Sequence, residues 1–79
     1  MISAGPNAFL YVLDTDPRDA AIREVEEAIG LVHTESRPVE LSPQNAFVRR
    51  LQHQAAEAAN LVSKSRGREP FRRVRVYPE

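Results

Sequence analysis

The sequence predicts a small α+β two-layer domain, a mixed sheet with two helices on one face, in the order β-α-β-α-β-β. Three observations predict it. Asp16-Pro17 and Ser42-Pro43 each place a capping side chain ahead of a proline, and apolar residues follow at helical spacing. Four other stretches are short and apolar or alternating, as strands are. The chain has 79 residues and no cysteine, enough for one modest core without a disulfide framework or a thiolate zinc site.

Taken in order, residues 1–7 read as a lead-in and 8–79 as a single domain. Ala8-Phe9-Leu10-Tyr11-Val12-Leu13 reads as the first strand, close enough to the N-terminus to leave open a longer parent chain. Asp16 caps the first helix and Pro17 occupies its first turn. Ile22, Val25, Ile29 and Val32 form its apolar face, and the helix ends near Glu35 because Pro38 disfavours helical geometry at Arg37. Pro38-Val39-Glu40-Leu41 alternates as a short strand. The second helix opens at Ser42-Pro43, carries Phe47, Val48, Leu51, Ala55 and Ala58 as its apolar stripe, and stops at Asn60, a residue that tolerates left-handed geometry. Residues 61–66 and 71–77 form a hairpin across Arg66-Gly67-Arg68-Glu69-Pro70.

The formal net charge of zero hides an asymmetry. Residues 1–42 hold eight acids against three bases, whereas residues 43–79 hold eight bases against three acids. Either the basic half meets a polyanion or the two halves attract each other within the fold. No apolar run approaches the ~20 residues of a membrane helix, and no secretory leader is evident, so the expectation is a cytoplasmic protein.

On the second helix Arg49 and His53 stand four residues apart and are therefore neighbours. Placed opposite the Phe47/Leu51 stripe, they form an anion clamp facing water. The guanidinium fork matches phosphate oxygens, and the imidazole adds a donor whose charge can follow the ligand. An isolated pair of this kind is more often an ordinary solvated face. His33 and His53 alone make no metal site, and no cofactor is expected. Neither an acidic cluster nor a nucleophile–base pair is evident, so the chain is not expected to be an enzyme.

The surrounding residues change the balance. Asn45-Ala46-Phe47-Val48-Arg49-Arg50-Leu51-Gln52-His53, with Ser63-Lys64-Ser65-Arg66-Gly67-Arg68-Glu69-Pro70-Phe71-Arg72-Arg73-Val74, strongly resembles the R-three-H domain family, named for an arginine and a histidine separated by three residues. The strong resemblance runs over residues 38–77, about half the chain. It is closest to the bacterial Jag-like (SpoIIIJ-associated) branch, and it is also similar to a bacterial and plastid family with an upstream ATPase domain. The resemblance implies a fold similar to the C-terminal domain of translation initiation factor three. It implies single-stranded DNA or RNA as partner, and an ATPase or other domain beside the module in a longer parent. It also implies a nucleic-acid-binding cluster of Arg49 and His53 with Arg73 or Arg72, to which the nearby Arg50, Arg66, Arg68 and Arg75 add charge.

In the last strand Phe71, Arg73, Arg75 and Tyr77 share one face, and Val74 and Val76 share the other. With the valines against the helices, the first stripe lies on the open side of the sheet. The simplest reading is that its aromatics edge the core and its arginines are solvated. Docking of another domain or a second copy comes next, and base stacking third.

Overall fold

The computed structural model of the chain describes residues 16–79. The strand expected at 8–13, and with it the parallel pairing of a mixed sheet, lies outside the described residues. What is described is a two-layer α+β arrangement. Two helices, α1 (Pro17–Glu35) and α2 (Ala46–Ala58), cover one face of a sheet made of β1 (Val39–Glu40), β2 (Val62–Arg66) and β3 (Arg73–Tyr77). The sheet order is β1-β3-β2, with β3 antiparallel to both neighbours. The crossover through α2 therefore carries the chain over β3 from one edge to the other.

Local chemistry sets each boundary. Asp16 accepts the Arg18 N–H and caps α1, Pro17 stands in the first turn, and Ser36 closes the helix in left-handed geometry. The second helix begins later than Ser42-Pro43 suggests. The Ser42 N–H and hydroxyl both donate to Glu24 on α1, so this serine ties the loop down instead of capping. Asn45 takes the capping role, accepting the Val48 N–H at 2.9 Å. At the other end Asn60 adopts a φ of 63° as expected. Asn60 N–H bonds Glu57 O and Leu61 N–H bonds Ala56 O, the paired closure that satisfies the last carbonyls.

The core is aliphatic. Val25, Val32, Val74 and Val76 are essentially fully buried, with Ala28, Leu41, Ala56 and Leu61 around them. Burying one valine contributes about 1.5–3 kcal/mol, so this strip carries much of the favourable term. On α1 the innermost residues include Ala21 and Ala28, with Ile22 and Ile29 flanking the core.

The stripe expected on α2 is corrected. Val48, Gln52 and Ala56 face the core, Leu51 and Ala55 flank it, and Phe47 is 54% exposed. The true inward row runs at i, i+4, i+8 through a glutamine. A polar residue at its centre hid the row, and the apolar Phe47 drew the stripe to one side. Gln52 is fully buried and its amide donates to Ala21 O at 3.2 Å, joining the two helices. Its Oε1 has no partner among the described residues.

Candidate nucleic-acid interface

Rotating α2 onto its true inward face moves both residues of the clamp. Arg49 lies one residue beyond Val48 and is 8% exposed, so the expectation that it faces water is corrected. Its Nη1 donates to Gln44 O at 2.7 Å and forms an ion pair with Glu69 at 3.0 Å. Gln44 N–H in turn donates to Arg72 O. Arg49 thus ties the start of α2 to the loop between β2 and β3.

His53, one turn on, is half-buried over β2. Its Nδ1 is 2.6 Å from the Ser63 hydroxyl and its Nε2 is 2.8 Å from that of Ser65. A neutral imidazole donates from one nitrogen and accepts at the other, and each hydroxyl turns to suit. Burial first, and then the Arg49 charge, hold the His53 pKa below its ordinary value. Glu57 stands four residues further on. It lines a shallow depression with His53, Leu61, Val62 and Ser63.

The loop beyond β2 is rich in cations and held by them. Arg72 Nη1 donates to Gly67 O at 2.7 Å, and Arg73 Nη1 to Phe71 O at 3.3 Å. Gly67 has a φ of +90°, a geometry that favours glycine, and an added Cβ would displace only the flexible end of Arg73. Phe71 N–H bonds Arg68 O across the turn that contains the cis Glu69–Pro70 bond. Arg68 and Arg50 are exposed.

The remaining expected residues fall elsewhere. Cross-strand register places Arg66 opposite Arg73 and Lys64 opposite Arg75 on the face of the sheet away from the helices. Glu40, opposite Arg75 from the other side, accepts from Arg73 and lies 3.5 Å from Arg75. The hydrogen bond from Arg73 is the main reason the Glu40 pKa lies below the usual glutamate value. Arg66 donates to the Tyr77 hydroxyl at 3.4 Å, and the Arg75 guanidinium lies 5.7 Å from the Tyr77 ring centroid. The expected cluster is therefore two surfaces. Arg49, His53, Arg68 and Arg72 belong to the α2 and loop edge, with Arg50 exposed on α2. Arg66, Arg73 and Arg75 belong to the open face.

Sequence reasoning missed Ser63, Ser65, Glu69, Lys64 and Gln52. For three of them a signal was present. Val62-Ser63-Lys64-Ser65-Arg66 alternates, so once β2 is a strand its serines share the helix side and Lys64 shares the outer side. The partners of Glu69 and Gln52 come from distant segments, which no local pattern specifies. Among the described residues there is no group of three or more His, Asp or Glu able to hold a metal ion, and no helix is long and apolar enough to cross a membrane.

Fold and surface define a small α+β binding module whose cations gather along one edge and on one sheet face. Residues 20–78 match the R-three-H domain, and the chain belongs to that family, which is associated with nucleic-acid binding and is a binding family, not a catalytic one. Over 60 residues, 75% of this chain, the sequence is 37% identical to a Porphyra purpurea protein described as "Uncharacterized protein ycf45". The match spans 11% of that relative's length.

Proposed function

We propose that the chain binds single-stranded DNA or RNA by seating phosphates where α2 meets the β2–β3 loop. The observation that carries this reading is the Arg49–Glu69 pair. A nearly buried guanidinium already holds an oxyanion at 3.0 Å, and that oxyanion belongs to a side chain 60% exposed. A phosphate oxygen can take the place of the Glu69 carboxylate and gain the same charge-assisted bond. His53 supplies a second donor, Ser63 and Ser65 supply hydroxyls, and Arg50, Arg68 and Arg72 supply the surrounding field. These contacts address the backbone, so binding is largely indifferent to sequence.

The test is fluorescence anisotropy at low salt with single- and double-stranded DNA and RNA of equal length, wild type beside Arg49→Ala/His53→Ala. Single strands bind preferentially and the variant loses them. About three to five phosphate contacts give a slope of log affinity against log salt near −2 to −3.5. A slope near zero removes the phosphates from the account. Cleavage of labelled strands with divalent metal present would make the chain a nuclease instead.

The 11% share of the relative's length favours a companion reading, in which the module is one part of a longer protein. An adjacent ATPase-type domain would then add avidity to a weak isolated site, or use the module for docking. Retained oligonucleotide binding after loss of Arg49 and His53, together with oligomers in light scattering, would favour docking.

A further inference from the structure

The side of the sheet away from the helices carries charge that the fold itself does not call for. Lys64 stands directly opposite Arg75, and Arg66 directly opposite Arg73. Like charges directly opposite each other on one sheet face are destabilising. Glu40 is the acid that offsets them among the described residues, and it serves Arg73 and Arg75. Lys64 has no partner among those residues. Four cations around one carboxylate leave the face strongly positive, and the register sets this positive field in two adjacent rows.

The ends of the face are apolar or aromatic. Val62, 56% exposed, lies opposite Tyr77, and Phe71, 67% exposed, leads into the other end of β3. Burying Phe71 or Val62 in the core would help the fold, yet both stand in solvent. Arg75 and Tyr77 lie close enough to form a cation–π pair, a flat platform of the kind on which bases stack. Alternate residues on a strand are about 6.7 Å apart, a spacing that an extended polynucleotide backbone can follow.

We propose that this open face, through Lys64, Arg66, Arg73, Arg75 and Tyr77, is a second contact surface for single-stranded nucleic acid, on which unpaired bases stack while the cations hold the backbone. It rests on the nucleic-acid reading above and adds to it a separate surface and a different chemistry. The helix-side edge is built on the phosphate donors Arg49 and His53. The open face offers cations with aromatic platforms. Among the described residues β2 is an edge strand with the serines on one side and Lys64 and Arg66 on the other, so a strand bound at the first surface can reach the second round that edge.

The experiment uses the full chain with Tyr77→Trp, which introduces a lone indole because the chain has no tryptophan. The probes are oligouridylate and an abasic oligonucleotide of the same length. Oligouridylate is expected to quench the indole and the abasic strand to leave it bright. Tyr77→Leu is expected to weaken oligouridylate binding by roughly 5- to 150-fold. Lys64→Gln, at an exposed position, is expected to reduce the salt slope by about 0.7. Quenching that persists when Arg49→Ala/His53→Ala is added makes the open face a surface in its own right. Oligouridylate binding with an unquenched indole and an unchanged Lys64→Gln slope overturns this proposal and leaves the helix-side site standing. Self-association of the wild type that Lys64→Gln abolishes, with no indole quenching, overturns it in favour of a second copy as occupant. Quenching without any effect of the Arg49/His53 change supports this face and removes the helix-side site.

Discussion

Replacing Glu69 with glutamine separates the two roles Arg49 can play. If the carboxylate only staples the loop, Glu69→Gln weakens the fold slightly and leaves binding alone. If it holds the place of a phosphate, the same change raises affinity, because the ligand no longer has to displace a charge. The magnitude follows from geometry. At 3.0 Å two unit charges attract by about 1.4 kcal/mol in water and about 5.5 kcal/mol at an effective dielectric of 20. Glu69 is 60% exposed, so solvent screening and the entropy of holding its side chain bring the net value to about 0.2–1 kcal/mol. Returned to the ligand, that amounts to about a 1.4- to 5-fold gain in affinity. The anisotropy assay reads it directly, and the gain should shrink as salt rises. Unfolding in urea should show a loss of no more than about 1 kcal/mol. Equal or weaker binding by Glu69→Gln, with Arg49→Ala also without effect, would refute the exchange and leave Arg49 a loop staple. A gain that ignores salt would refute its electrostatic origin.

Three further outcomes follow from the same structure. Because burial and Arg49 depress the His53 pKa, the folded state resists taking up a proton that the unfolded chain accepts. The His53 contribution to stability is therefore complete above about pH 6.5 and is lost as pH falls, while phosphate binding at the proposed site should strengthen over the same range. An NMR titration giving one His53 pKa with and without oligonucleotide would take the histidine out of the site. Gln52→Met should change stability by less than about 1 kcal/mol, since it deletes an unpaired buried oxygen and keeps the volume, whereas Gln52→Ala should cost about 2–4 kcal/mol. A large loss with Met would show that the Ala21 hydrogen bond matters more than the volume. Asn60→Ala should cost about 1–2 kcal/mol at a φ of 63° while Asn60→Gly should not, and equal melting temperatures for the two would contradict the left-handed closure.

The legible parts of the fold were those in which one short stretch contains its own cause. Asp16-Pro17 caps and starts α1, Asn60 ends α2, and the β3 alternation puts Val74 and Val76 in the core. Ser42-Pro43 carries the same signal as Asp16-Pro17 and does not start a helix, because Glu24, eighteen residues earlier, competes for the serine. A capping motif specifies a start only when no distant group holds its residue in another place. Likewise Gln52 is read as polar and outward by any local rule, and becomes inward only when Ala21 offers it a carbonyl.

The candidate site repeats this lesson in a way that bears on function. Arg49 and His53 were legible as neighbours, since four-residue spacing on a helix guarantees it. Their orientation was not, because it depends on which face α2 buries, and that was masked by Gln52. The consequence is chemical. A guanidinium facing water is one mobile cation among many, whereas Arg49 is fixed by Gln44 O and Glu69 before any ligand arrives. A donor held in place loses less entropy on binding than a free one, so pre-ordering favours affinity even though the present carboxylate opposes it. His53 is fixed in the same way by two hydroxyls. The pair therefore presents two oriented groups at one edge, each already satisfied within the chain, and in the proposed site exchange of those partners for a phosphate, not capture by a bare charge, is the chemistry to be tested.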